Sequence, residues 1–259
     1  MNIVVCMKQV PDTGTERTLR ASDSTLDRDA ADALINEIDE YAIEEGLRLT
    51  EAHGGEVTIL SMGPQRAIES IRKALSMGAD KGVHLVDDAL AGSDLLGTSA
   101  AIAQVLGRIG FDLVILGCES TDARTGVLAA MLAERLGVPQ LSYAAKVEID
   151  GTAVTIRRQA DYGYDTVEAT LPAVLSVVEK INEPRYPSFK GIMAGKKKPV
   201  EALSLADAGI EPELVGLAGA ATEVLSFARR PARQAGTIVT DEGDGGSQAA
   251  EFLAARKFI

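Results

Sequence analysis

The stretch with the clearest capacity for ligand chemistry is residues 117–126, which read GCESTDARTG. It is small, polar and bounded by glycines, and it leads from a strand-like apolar run into a helix-like one. Free N–H groups and the helix dipole at a helix N-terminus attract phosphate. The stretch therefore indicates a phosphate-binding loop. The alternative is a connecting loop that is polar simply because it lies at the surface.

Catalytic motifs are missing from the sequence. It contains no G-x-G-x-x-G, no G-x-x-x-x-G-K-[ST] and no C-x-x-C. The two histidines do not suggest a catalytic set, because His53 is expected to end a helix in solvent and His84 to lie inside a strand as a core residue. Asp122 is either a base or, in the simpler interpretation, a turn residue that accepts backbone N–H groups. The pattern favours a binding site without catalytic groups or a metal, and no enzyme activity of its own.

The composition limits the classes of partner. The chain has 259 residues and a formal net charge of −12, which argues against nucleic acid because phosphate contacts need a basic surface. No apolar run reaches membrane-spanning length. The N-terminus begins directly with NIVVCMK, and the two cysteines, Cys6 and Cys118, do not form a secreted disulfide framework. We expect a cytoplasmic protein that does not insert into membranes.

Alternating strands and helices must position the loop. Apolar strand-like runs begin at residues 2, 56, 82 and 112, and amphipathic stretches that predict helices follow each of them. Asn36 is placed as the N-cap of the first helix, with Asp39 close to a capping box. This order predicts a doubly wound, mostly parallel α/β sheet whose ligand lies beyond the C-terminal strand ends. The polar stretch 8–33 is predicted to be a long loop.

The pattern changes after residue 140. A hairpin and an alternating run predict added antiparallel strands, and a buried strand closes the domain, which we place at residues 1–182. The segment 183–199 contains three prolines and is predicted to be irregular. Residues 200–259 have no strand–helix alternation apart from a final helix near 247–256, and we expect them to form a C-terminal arm.

Several stretches in order make the sequence similar to the β subunit of electron transfer flavoprotein, over nearly the whole chain. They are VVCMKQVPDT (4–13), NEIDEYAIEEGLRL (36–49), MGPQRAIESIRKALSMGAD (62–80), DLVILGCESTD (112–122), LPAVLSVVEKINEPRYPSFKGIMAGKKK (171–198) and RPARQAG (230–236). The resemblance implies a Rossmann-like, adenine-nucleotide-binding fold with an arm that wraps an α subunit. It further implies that the α subunit holds most of the FAD and that this chain binds AMP in a structural role.

The resemblance also assigns the AMP contacts. They fall on strand-end positions and on the loop after the fourth strand: Cys6, Asn36, Glu37, Ile38, Asp39, Met62, Gly117, Cys118, Ser120, Thr121, Asp122, Ala123, Arg124, Thr125, Gly126, Val127 and Leu128. Many family members have amide or hydroxyl side chains in the second half of this loop, where this chain has Gly126, Val127 and Leu128. The phosphate would then depend on backbone N–H groups with Arg124 or Thr125.

A branch of the family bifurcates electrons, oxidises NADH and holds a second FAD in the AMP position. Members of that branch carry a loop sequence similar to DGDTAQVGP after the fourth strand. At the same place this chain has DARTGVLAA. The departure favours AMP and simple electron transfer, from flavin dehydrogenases such as the acyl-CoA dehydrogenases of fatty acid β-oxidation to a quinone-linked acceptor.

In the family, the segment 183–199 docks the partner dehydrogenase. The resemblance places Phe189 at the apolar tip, with Arg185 beside it and Ile192 and Met193 next in line. An apolar anchor with a polar rim suits an interface. The alternative is local packing, above all for Ile192 and Met193. The lysines 196–198 are expected to act on the α subunit or on the rate of encounter.

Two other classes of function are weighed against this interpretation. One is an ATP-pyrophosphatase on a related fold. Enzymes of that class carry a motif similar to SGGxDS after the first strand, where this chain has CMKQVPD. A free-standing nucleotide-binding sensor would not need residues 183–259. Both therefore account for less of the sequence than an electron-carrier subunit does.

Overall fold

The computed structural model describes residues 1–233, 236 and 238–259. It divides into two compact units, Met1–Val224 and Leu225–Ile259. Within the described residues, no helix is long and apolar enough to cross a bilayer. Part of the RPARQAG stretch, namely Gln234 and Ala235, lies outside the described residues.

Strands and helices alternate along the first unit. The strands of the described chain are β1 Asn2–Cys6, β2 Gln9–Pro11, β3 Ala33–Ile35, β4 Glu56–Met62, β5 Lys81–Leu85, β6 Leu113–Gly117, β7 Gln140–Asp150, β8 Ala153–Ala160, β9 Gly163–Thr170, β10 Ala173–Val177 and β11 Val200–Leu203. The helices are α1 Glu37–His53, α2 Ile68–Met77, α3 Leu95–Ile109, α4 Leu128–Leu136, α5 Phe189–Gly195, α6 Leu205–Ala208, α7 Gly216–Gly219 and α8 Gly245–Ala255.

One large sheet forms the centre of the first unit. Among the described residues it has nine strands in the order β11-β5-β4-β1-β6-β10-β7-β8-β9. The strands from β11 to β7 are parallel, and β8 and β9 are antiparallel additions. This confirms the predicted doubly wound, mostly parallel α/β sheet with added antiparallel strands.

The two faces of the sheet carry separate apolar cores. In β1, Ile3 and Val5 belong to the core formed with α1 and α2, whereas Val4 and Cys6 belong to the core formed with α3 and α4. This alternation follows from the period of two in a strand. Because both faces are covered, the central strands are continuous apolar runs, which is why the sequence revealed them.

Four short elements differ from the sequence prediction. The stretch 8–33 is not loop throughout, because β2 pairs with β3 in a small antiparallel sheet. Residues 189–195 form α5, in which the Ser188 hydroxyl accepts a hydrogen bond from the Gly191 N–H at 3.0 Å, although the prolines before it suggested irregular structure. Val200–Leu203 lie beside β5 as an edge strand of the sheet. Elements of three to seven residues are too short to show a hydrophobic period.

Candidate functional site

The site lies at the point where the strand order reverses. The chain runs from β1 outward through β4 and β5 and then returns to the other side of β1 as β6. Connections diverge from the C-terminal ends of β1 and β6, which leaves a crevice there. Cys6 ends β1 and Gly117 ends β6, so the topology itself brings these two sequence-predicted positions together.

Asp39 joins the two strand ends from the first turn of α1. Its carboxylate accepts the N–H of Lys8 at 2.8 Å through one oxygen and the N–H of Gly117 at 3.0 Å through the other. Burial raises the pKa of Asp39 to about 6, against the lowering effect of these hydrogen bonds. A Cβ at position 117 would lie 2.5 Å from Asp39 Oδ1, so glycine is required there.

Asn36 holds the loop that follows β6. Its side-chain amide donates to the Glu119 carbonyl at 2.9 Å, and its side-chain oxygen accepts the Thr121 N–H at 3.0 Å. Asn36 is the N-cap residue of α1, but its side chain makes no capping hydrogen bond. The predicted near-capping box of Asn36 and Asp39 is therefore wrong, because both side chains bind neighbouring segments in place of their own helix.

Asp122 is the centre of a buried ionic junction. Its two carboxylate oxygens lie 2.8 Å from Lys8 Nζ and 2.8 Å from an Arg28 guanidinium nitrogen, and its side chain is only 1% exposed. Burial opposes ionisation of this carboxyl, but the charge and hydrogen bond of Lys8, together with Ser120 and Arg28, outweigh it and lower the pKa to about 2. Asp122 is thus a structural anion rather than a base.

We predict that Asp122→Asn lowers the free energy of unfolding by about 2 kcal/mol at pH 7, since it leaves the half-buried Lys8 and Arg28 without their counter-charge. The pKa of Asp122 lies below its ordinary value of 3.8. The ionised carboxylate therefore stabilises the fold above about pH 4, and this contribution is lost as the pH falls toward 2. Urea unfolding of the purified chain at a series of pH values from 7 down to about 2.5 measures both effects.

Asp29→Asn is the matched control. Asp29 pairs with Arg20 at 2.8 Å in the same polar stretch, but its side chain is 74% exposed, so its loss should change the free energy of unfolding by less than about 1 kcal/mol. An Asp122→Asn variant no less stable than this control at pH 7 would contradict the structural role of the junction.

The second half of the loop approaches the N-terminus of α4. Arg124 and Gly126 have positive φ values of 50° and 66°, and the Tyr143 hydroxyl donates to the Gly126 carbonyl at 3.1 Å. Val127 precedes α4 without a side-chain capping bond. The first N–H groups of α4 therefore have no capping side chain, as an anion site requires.

The remaining predicted residues lie around this crevice. Ile38 contacts the strand end, since a Cβ at position 117 would lie 3.0 Å from its Cβ. Met62 ends the neighbouring strand β4, and Glu37 is exposed in the first turn of α1. Burial raises the pKa of the Cys6 thiol to about 12 and that of Cys118 to about 11, which keeps both thiols neutral. Ala123, Thr125 and Leu128 complete the loop and the start of α4.

One buried polar atom in the loop has no partner. The Thr121 hydroxyl oxygen is buried and makes no hydrogen bond within the described part of the chain. Buried hydroxyl groups normally have a partner. A polar ligand beside the loop would provide one.

Two residues of the site were missed by sequence reasoning. Lys8 follows β1 directly, so its position at a strand end could have identified it. Arg28 gave no signal, because it lies in a stretch predicted to be a loop and reaches Asp122 across 94 residues. The two histidines behave as predicted. His84 is buried and contacts the Gly63 carbonyl at 3.1 Å, and His53 is exposed at the end of α1.

A second functional candidate is the segment 183–199, named here the docking segment. Phe189 is 82% exposed and Tyr186 is 96% exposed, while Ile192 and Met193 are roughly half exposed. Phe189 therefore does not pack into a satellite core of its own unit. Tyr186 was missed, because a single tyrosine among prolines carries no periodic signal.

Comparisons with known proteins identify the family of the chain. The family model "Electron transfer flavoprotein domain" matches residues 23–208. A protein of Mycobacterium tuberculosis (strain ATCC 25618 / H37Rv) named "Electron transfer flavoprotein subunit beta" is 56% identical over 264 residues, which cover 100% of this chain and 99% of that protein.

More distant relatives cover almost as much of the chain. An "Electron transfer flavoprotein subunit beta" of Thermoanaerobacterium thermosaccharolyticum is 38% identical, over 93% of this chain and 92% of that protein. The "Caffeyl-CoA reductase-Etf complex subunit CarD" of Acetobacterium woodii is 34% identical, with the same coverage. With matches of this extent and identity, the chain belongs to the electron transfer flavoprotein β-subunit family.

Proposed function

We propose that this chain is the β subunit of a heterodimeric electron transfer flavoprotein that carries AMP at the crevice between β1 and β6. The observation that supports this most directly is the loop 117–126, which Asn36, Asp39 and the Asp122 junction fix beside the uncapped N-terminus of α4. A loop held in this way presents its backbone N–H groups without reorganisation.

The residues present fit an adenine nucleotide with a single phosphate. Arg124, Thr125 and the first N–H groups of α4 would hold the phosphate, and the free Thr121 hydroxyl would gain a partner. No catalytic group is involved, so this site would stabilise the fold without turnover. In the described residues, no three His, Cys, Asp or Glu side chains are grouped closely enough to hold a metal.

The redox role would belong to FAD held mainly by an α subunit, which supplies the electron-accepting flavin. This chain would bring that subunit to a flavin dehydrogenase, such as an acyl-CoA dehydrogenase of fatty acid β-oxidation, and electrons would pass on to a quinone-linked acceptor. It would thus be a cytoplasmic carrier subunit rather than an enzyme. The exposed Phe189 supports the docking part of this proposal.

The nucleotide content of the purified heterodimer tests the proposal. We expect acid to release one AMP and one FAD per heterodimer. Asn36→Ala, which frees the loop from both of its amide contacts, should lose most of the AMP and keep the FAD. Asn182→Ala is the matched control, because its amide bonds to α1 at the Tyr41 carbonyl instead, and it should keep both nucleotides.

Other stoichiometries would overturn parts of the proposal. Two FAD and no AMP would favour the electron-bifurcating alternative, in which a second flavin occupies this crevice and NADH is oxidised. AMP bound by a chain that forms no heterodimer would favour a nucleotide-binding sensor. Chromatographic quantification of the released nucleotides distinguishes these outcomes.

A further inference from the structure

The docking segment is fastened to the rest of its unit at both ends. It leaves the sheet after β10, crosses α1 and α2, and re-enters the sheet as β11. Charged side chains hold it in two places, one against α1 and one against α2. The exposed residues Tyr186 and Phe189 lie between them.

The first anchor is Arg185, which binds two glutamates of α1. Its Nε and one terminal nitrogen lie 2.7 and 2.9 Å from the Glu44 carboxylate, and the other terminal nitrogen lies 2.5 Å from Glu51. The backbone N–H of Arg185 also donates to Glu44, at 3.1 Å. Hydrogen bonds and charge from these carboxylates raise the pKa of Arg185 further above its ordinary value. All three guanidinium nitrogens are therefore engaged inside the unit, in a geometry that favours arginine over lysine.

Of the two carboxylate partners of Arg185, Glu51 is 58% exposed but Glu44 is inaccessible. The Glu44 side chain is only 7% exposed, so it cannot reach another protein. Its carboxylate is held within α1, at the middle of a 17-residue helix. Through Glu44, Arg185 is thus tied to a rigid part of the fold.

The second anchor is on α2. Lys198 Nζ donates to the Leu75 carbonyl in the last turn of α2 at 3.2 Å, where a helix attracts a cation, and to the Gly78 and Ala79 carbonyls just after the helix at 2.9 and 2.6 Å. Arg72 donates back to the Gly195 carbonyl at 3.0 Å. The backbone of α5 also lies close to Ser76, since a Cβ on Gly191 would be 2.5 Å from the Ser76 carbonyl oxygen.

Anchors at both ends change the entropy of docking. A free segment of this length would have to lose backbone and side-chain freedom when it binds, and that loss would reduce its affinity. Here, the conformation that exposes Tyr186 and Phe189 exists before any partner arrives. Arg185 immediately precedes Tyr186 and lies four residues before Phe189, so its anchor has the most direct control over the exposed tip.

We infer that Arg185 is a positioning residue for dehydrogenase docking: it acts through Glu44 and Glu51 to hold the Tyr186–Phe189 tip in its binding conformation and does not itself contact the partner. This inference rests on the proposed docking role of the segment. It assigns Arg185 a different task from the direct partner contact that the family resemblance implies.

A double-mutant cycle on the intact heterodimer separates the two tasks. The measurement is dehydrogenase-dependent flavin reduction as a function of heterodimer concentration. Arg185→Ala should raise KM about tenfold with kcat nearly unchanged. In a Phe189→Ala background, the same change should add less than about threefold, because the tip that Arg185 holds is already missing. Additive effects would overturn the inference, since they indicate that Arg185 binds the partner directly.

A second variant tests the same anchor without removing the Arg185 side chain. Glu44→Gln removes the buried charge but keeps the Arg185 guanidinium, which could still contact a partner directly. We expect it to raise KM severalfold. A KM unchanged or lowered by Glu44→Gln would contradict the inference. Lys81→Ala, which breaks the surface pair with Glu56 at 2.5 Å, is the control and should leave KM within about twofold. Melting temperature and FAD content confirm that each variant is assembled.

The outcomes also distinguish this inference from the proposed function. If Phe189→Ala weakens docking while Arg185→Ala and Glu44→Gln do not, the inference fails and the docking role stands. If Phe189→Ala itself has no effect, the docking role fails, and the inference falls with it.

Discussion

Phe189→Ala should slow dehydrogenase-dependent reduction of the heterodimer about thirtyfold at limiting concentration. Its ring is 82% exposed at the start of α5. The segment that carries it is held against α1 and α2 by Arg185 and Lys198. Truncation of an aromatic anchor that fills a partner pocket commonly costs about 2 kcal/mol or more, which corresponds to a thirtyfold loss in affinity. FAD content and melting temperature should stay near wild type, because the ring makes little contact with its own unit.

Ionic strength separates this effect from that of the neighbouring lysines. Lys196 and Lys197 are exposed, whereas Lys198 is occupied at the end of α2. The double variant Lys196→Ala/Lys197→Ala serves for comparison. It should slow reduction at low salt and lose that effect at high salt, because exposed charges act on the rate of encounter and are screened by salt. The Phe189→Ala effect should persist at both salt concentrations. A normal rate for Phe189→Ala would leave the segment without a docking role.

Removal of residues 225–259 should abolish assembly with the α subunit. In this unit, α8 has no buried residues, and large apolar side chains such as Leu225, Phe227 and Phe252 are about half exposed or more. Exposed apolar groups of this size indicate a partner surface. Residues 200–224 are kept in the truncated chain, since β11 belongs to the sheet. The measurement is co-purification with a tagged α subunit, followed by flavin absorbance.

Point variants make the truncation specific. Phe252→Ala combined with Leu253→Ala should weaken co-purification, whereas Glu251→Ala, an exposed polar neighbour on the same helix, should not. If the chain ending at residue 224 still co-purifies and retains FAD, residues 225–259 do not hold the α subunit.

The sequence predicted the central elements because each has a strong local signal. The buried runs at β1, β4 and β6 and the stripe of α1 are long enough to show their period. Topology then placed Asn36, Asp39 and the loop 117–126 at one crevice. What could not be predicted depends on contacts between distant residues, such as the Arg28–Asp122 pair and the edge position of β11. The helix α5 also gave no local signal, because its seven residues are too few to show a helical period.

The Asp122 junction links the local stability of two segments that are distant in the chain. Lys8 and Arg28 flank the polar stretch 9–27 in sequence, and both bind the Asp122 carboxylate. Within that stretch, Arg17 donates to the Thr121 carbonyl at 2.6 Å. This stretch and the loop after β6 therefore form a single cooperative unit: neither can unfold locally without breaking the ion pairs of the other. A nucleotide held there would be retained by the combined stability of two segments that lie about a hundred residues apart in the chain.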